Sequence, residues 1–292
     1  MFLSYFLALL LSHLAGDFVF QNDRLCKLKI DPDKKRRILS VSNHVAIIFL
    51  INIIVFGFIG KGIPWIVLFL LNIFHWILDV VKSTIQSEKK ICDVDSVTTS
   101  KIAKTSVTEK TSAKSMSTGH MESKTKTSKW LLHLFFGDQV LHLISIFFAA
   151  HALYSFDVSH YMSFCYQLIS GTVTVARSLT LMNKELLVLI YLCLTTSVSN
   201  VVVKMFLCGL RKDLGADVKT GRYIGGVERI LTICIILVGA WQALTVLYGS
   251  KTAIRFDQAK GNPDFAEYYI LGTTLSALFA VIIAVAVKIT LI

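Results

Sequence analysis

Seven stretches of about 20 residues, in which apolar side chains follow one another with scarcely a charge, constrain this chain more than any other feature: 1–20, 41–60, 63–81, 130–156, 186–207, 224–247 and 268–290. A helix of that length crosses the roughly 30 Å hydrocarbon core of a bilayer, and an open chain can satisfy its backbone there in no other way. Soluble helices carry a charged stripe; here 54% of 292 residues are apolar, 17% are charged, and three are proline. The expected fold is all-α, a polytopic transmembrane helical bundle of about seven spans. The first run has no basic residue ahead of it and no small-x-small cleavage signal behind it, so it is expected to remain as a span.

The net charge of +11 is unevenly placed. Arg24, Lys27, Lys29, Lys34, Lys35, Arg36 and Arg37 follow the first run, a lysine-rich stretch follows the third, and Arg211, Lys212, Lys219 and Arg222 follow the fifth. The second connection holds one lysine, Lys61, and the fourth one arginine, Arg177. The positive-inside rule then puts the amino terminus outside and these three basic connections in the cytoplasm. The sixth connection, with Lys251, Arg255 and Lys260 balanced by Asp257, Asp264 and Glu267, fits that pattern less cleanly. Anionic lipid accounts for the basic surface, so membrane lipids are the expected partner and nucleic acid is not; no protein partner is indicated. Six cysteines without a close pair argue against a zinc ribbon or a disulfide framework.

The chain reads in three parts. Residues 1–85 and 130–156 form a four-span bundle; 86–129, dense in Ser, Thr and Lys, is a linker expected to be disordered or loosely helical; 157–292 is a second membrane half with about three spans. Within that half, 161–181 is only weakly apolar and broken by Gly171 and Arg177, which suits a surface or re-entrant segment.

Three of the first four runs repeat one pattern, an imidazole and a carboxylate four residues apart: His13 with Asp17, His75 with Asp79, and Asp138 with His142. On a helix such residues share a face one turn apart. His44 stands alone near the start of the second run. An Asp at mid-membrane costs about 2.5–3.5 kcal/mol on insertion scales, so these residues should face inward and meet partners. With alternating span directions, all four runs present them at one depth, in the cytoplasmic half. Four imidazoles and three carboxylates suit a divalent metal, zinc before manganese or iron, with room for two ions. The same residues also suit a proton relay, or hydrogen bonds that pin helices together. Gln21, Lys82 and Gln139 are expected to line the mouth of this site, or to be interfacial side chains. His133, His151, His120 and His160 fall outside the pattern. In the second half, Glu228, Arg229, Lys251, Arg255 and Glu267 are candidate contacts to lipid headgroups, or interfacial ion pairs.

At His13-Leu-Ala-Gly-Asp17-Phe-Val-Phe-Gln21, Asn43-His44, His75-Trp-Ile-Leu-Asp79 with Lys82, and Asp138-Gln139-Val-Leu-His142, the chain resembles a bacterial inner-membrane family catalogued as domain of unknown function 3307. Gly225-Gly226-Val227-Glu228-Arg229, Lys251-Thr-Ala-Ile-Arg255-Phe256, Ala266-Glu267-Tyr268 and Gly272-Thr273 look like strings of its longer members. The resemblance implies the membrane fold and brings no activity. The recurring His-x-x-x-Asp pairs are also similar in style to the metal shells of zinc-dependent phospholipase C, single-strand nucleases and membrane-bound metal-dependent hydrolases. That similarity implies a metal-dependent hydrolase of a phosphoester or lipid-like substrate. The alternatives are an ion- or proton-coupled transporter and a non-catalytic membrane scaffold.

Overall fold

The computed structural model describes residues 2–21, 23–59, 64–105, 113–155, 181–207 and 218–291, and every regular element among them is a helix. In chain order these are α1 (Phe2–Leu14), continued by a π-helical turn at Ala15–Val19, then α2 (Asp23–Lys29), α3 (Lys34–Ile59), α4 (Trp65–Thr105) and α5 (Ala113–Ser155). There follow α6 (Leu181–Cys193), a second π-turn at Leu194–Val198, α7 (Ser199–Leu207), α8 (Val218–Val238), α9 (Gln242–Gly261) and α10 (Pro263–Leu291).

Six described stretches are long and apolar enough to cross a membrane: Phe2–Val19, Lys34–Phe58, Trp65–Glu88, Leu132–Ser155, Asn183–Leu207 and Pro263–Leu291. The protein is therefore a polytopic transmembrane helical bundle. The seventh expected run, 224–247, is not one straight helix. α8 stops at Val238, where Gly239 takes φ +80 and the amides of Gly239 and Ala240 bond back to the carbonyls of Ile236 and Ile235. This pattern is a Schellman stop, which glycine adopts without steric penalty, and α9 restarts at Gln242. The segment 161–181 lies outside the described residues except for its last residue. Within the proline-free stretch 86–129, α4 continues to Thr105 and α5 begins at Ala113.

The chain divides into two compact units, Met1–Phe156 and Asp157–Ile292. In the first, α1 packs on α3 and α5, α3 on α4, and α4 on α5, so the four spans close into a ring. Gly16 allows α1 to approach α3 closely: a Cβ there would stand 2.3 Å from Cγ1 of Ile48. Asp33 starts α3, its carboxylate accepting from the amide of Lys35 at 3.0 Å, the arrangement of an N-cap. The short α2 lies along α3, and Arg37 fixes the connection by donating to the carbonyl of Asp31 and the hydroxyl of Ser87, both at 3.0 Å. The end of the four-span ring is thereby closed by its own first loop. In the second unit α10 packs against α8, α7, α9 and α6. α10 begins on Pro263, with Asn262 capping the amide of Phe265, the position where a fixed φ and a missing N–H do no harm.

Candidate functional site

The π-turn that follows α1 widens the helix by one residue just where Asp17 stands, between buried Gly16 and Phe18. The amide of Phe20 reaches back to the carbonyl of Ala15 at 2.9 Å, and such single-turn bulges recur at functional sites. His13 lies one turn earlier on the same face, 3.9 Å from Asp17. α3 brings His44 to Asp17, Nε2 to Oδ1 at 3.0 Å, and α4 brings His75 to within 3.7 Å of the same oxygen. Asp79, one turn beyond His75, stands 3.6 Å from His44 and 3.8 Å from His142 of α5. Asp138, one turn before His142, is 3.4 Å from it. The rings of His75 and His142 stack with centroids 4.0 Å apart, and His13 lies 4.9 Å from His142.

The six residues paired by spacing, together with His44, thus converge on one point inside the ring. His13, His44, His75, Asp79, Asp138 and His142 are buried, and the Asp17 side chain is nearly so. Three overlapping groups within the cluster could each hold a metal ion: His13, His75 and His142; Asp17, His44 and His75; and Asp79, Asp138 and His142. Within each group the ligand atoms lie within 4.8 Å of one another. Nδ1 of His13, Nε2 of His75 and both ring nitrogens of His142 are buried without a hydrogen-bond partner, so the donor set fits a cation that takes imidazole nitrogen.

Two ammonium groups close the carboxylate side. Lys29 of α2 bonds to Asp79 at 2.7 Å and Lys82 of α4 bonds to Asp138 at 2.5 Å. Lys82 and Gln139 both reach Asp138, Gln139 donating to its carboxylate at 3.1 Å. Gln21, its amide oriented by its neighbours, donates to the carbonyl of Asp17 at 2.9 Å and accepts from Lys29 at 3.3 Å. Lys29 escaped the sequence reading because it sits among seven basic residues of one loop, and nothing in its spacing separates it from the rest. Two further residues, Asn52 of α3 and Asn72 of α4, are buried polar groups on the bundle side of the cluster. Their signal was available, since each is an amide inside an apolar run.

The second unit treats its candidates differently. Arg229 does not face the lipid surface: it is 2% exposed. Its guanidinium donates to the carbonyls of Thr195 and Thr196, at 2.7 and 3.4 Å, to Oδ1 of Asn200 at 2.6 Å and to the hydroxyl of Ser276 at 2.9 Å. Two of these acceptors are carbonyls of the second π-turn, so Arg229 ties that turn to α8 and α10. Glu228 pairs with Lys251 at 2.5 Å, half-buried, whereas Arg255 and Glu267 are exposed.

Residues 5–169 match the model of a family described as Protein of unknown function (DUF3307), and the chain belongs to that family. Neither the curated proteins nor the solved structures provide a match.

Proposed function

We propose that this family member is a membrane-embedded, metal-dependent hydrolase that cleaves a phosphoester or other ester at the cytoplasmic leaflet. The observation that carries this reading is the set of buried ring nitrogens on His13, His75 and His142 that have no hydrogen-bond partner, in a cluster that also holds three carboxylates. A divalent cation, zinc before manganese or iron, supplies Lewis acidity and an activated water at neutral pH when bound at such residues.

The three candidate groups are not equivalent. Asp79 and Asp138 are already neutralised by Lys29 and Lys82, so a cation at Asp79, Asp138 and His142 competes with two ammonium groups. No ammonium group pairs with Asp17, His44 or His75 among the described residues, and with His13 they form the better first residence. Asp79 and Asp138, each paired with a lysine, then flank His44 and His142 at 3.6 and 3.4 Å. Lys29 and Lys82 put two positive charges beside the loop that closes the ring, where an anionic headgroup or phosphoester is recognised as a point charge. The basic loop itself supports the cytoplasmic placement and an amino terminus outside.

The direct test is elemental analysis of the purified protein. About one transition-metal ion per chain is expected, lost in His75→Ala because His75 belongs to two of the three groups. A metal-free wild type that also fails to take up zinc sinks the proposal. A second reading, an ion- or proton-coupled transporter, is favoured by the two Lys–Asp pairs set against four imidazoles, a chain of exchangeable protons inside a membrane unit. It requires pH-driven flux in liposomes from protein stripped of metal.

A further inference from the structure

On the bundle side of the His/Asp cluster, away from Lys29 and Lys82, lies a small chamber with room for about one water-sized sphere. His13, His75 and His142 form one wall, and Asn52, Asn72 and Ser145 contribute the other polar groups. Asn52 lies eight residues beyond His44 on α3, about 12 Å along the axis at 1.5 Å per residue. Asn72 precedes His75 by one turn on α4, and Ser145 follows His142 by one turn on α5. Spans running in opposite directions thus displace all three towards the same side.

The amide oxygens of Asn52 and Asn72 are buried and unpartnered, as are Nδ1 of His13, Nε2 of His75 and both ring nitrogens of His142. The neighbouring groups do not satisfy them: the Asn72 amide nitrogen is spent on the carbonyl of Leu68 at 2.7 Å, and the Ser145 hydroxyl on that of His142 at 2.7 Å. Two unpartnered amide oxygens and three imidazoles around one space of this size call for a ligand that both donates and accepts.

We propose that this chamber is a water-binding site, in which an ordered water donates to Asn52 and Asn72 and meets the imidazoles of His13, His75 and His142. Buried waters of this kind make two to four hydrogen bonds to groups otherwise unmade. The chamber supplies water to the cluster from the side opposite the two lysines, so an anion and a water reach the imidazoles from different ends. The water shares the His13, His75 and His142 nitrogens with the proposed metal site, whereas Asn52 and Asn72 belong to the water alone.

Radiolytic hydroxyl labelling of metal-stripped protein, read by mass spectrometry on the millisecond scale, tests the site. Ile48 and Ile146 line the chamber, whereas Leu68 is equally buried and does not. Rapid labelling of Ile48 and Ile146, several-fold above Leu68, is expected in the wild type, with a several-fold loss in Asn52→Leu/Asn72→Leu. Labelling of Ile48 and Ile146 at the Leu68 level overturns the proposal whether or not the double variant folds. So does unchanged labelling in a folded variant. Metal uptake measured on the same wild-type preparation keeps this outcome separate from that of the metal site.

Discussion

Each aspartate of the cluster has its own basic neighbours: Asp17 has His44, Asp79 has Lys29, and Asp138 has Lys82. A buried carboxylate that loses its partner typically costs about 3–5 kcal/mol, and Lys82 retains 24% of its side-chain exposure, which lowers that figure. Lys82→Met is therefore expected to destabilise the metal-stripped protein by about 2 kcal/mol. Zinc should then raise its melting temperature by more than that of the wild type, because Asp138 no longer has an ammonium to displace; equal shifts would place Asp138 beyond the cation's influence. The i,i+4 spacing made His13, Asp17, His75, Asp79, Asp138 and His142 legible, because a helix converts that spacing into a shared face. Lys29 was not legible, because its role depends on how the loop after the first span folds back over the ring. Asn52 and Asn72 were within reach of the same intramembrane-polar argument that found the aspartates.

The helices themselves were largely readable from apolar run length, and their departures from regularity were not. The π-turn at Ala15–Val19 needs Gly16 flat against Ile48, so Gly16→Ala must push α1 from α3 or drive Ile48 off its rotamer. Overpacking of this kind costs about 1–3 kcal/mol, and the expected result is a lower thermal midpoint with weakened zinc uptake, since Asp17 moves with the turn. Retained stability and full uptake would show that the turn absorbs the methyl group. At Gly239, composition predicted one span where a Schellman stop divides two helices. Hydropathy averaged over a window is blind to a single residue with positive φ.

At the scale of the molecule, the two compact units separate two uses of charge. The first gathers titratable groups around one point. The second buries Arg229 among neutral acceptors, where only a planar guanidinium can serve two carbonyls, an amide and a hydroxyl together. Arg229→Lys is expected to lower stability by about 3 kcal/mol, since charge-assisted hydrogen bonds contribute about 1.5–3 kcal/mol each. Metal per folded chain should not change, as measured by elemental analysis of the monodisperse fraction. A fall in metal content would mean that the units are not energetically separate. The sequence placed Arg229 at the membrane surface because a Glu-Arg pair opening a span reads that way. The π-turn carbonyls that hold it inside left no trace in composition.

The loop that folds over the ring carries a consequence for how the protein is made. Synthesis runs from the amino terminus, so Asp17 first meets His13 in its own span and then His44 in the next. When Asp79 emerges, Lys29 and His44 have already been synthesised, and when Asp138 emerges, Lys82 precedes it by a whole span. The order of residues along the chain thus doubles as an order of biogenesis: each later acidic residue enters the bilayer with its counter-charge already waiting.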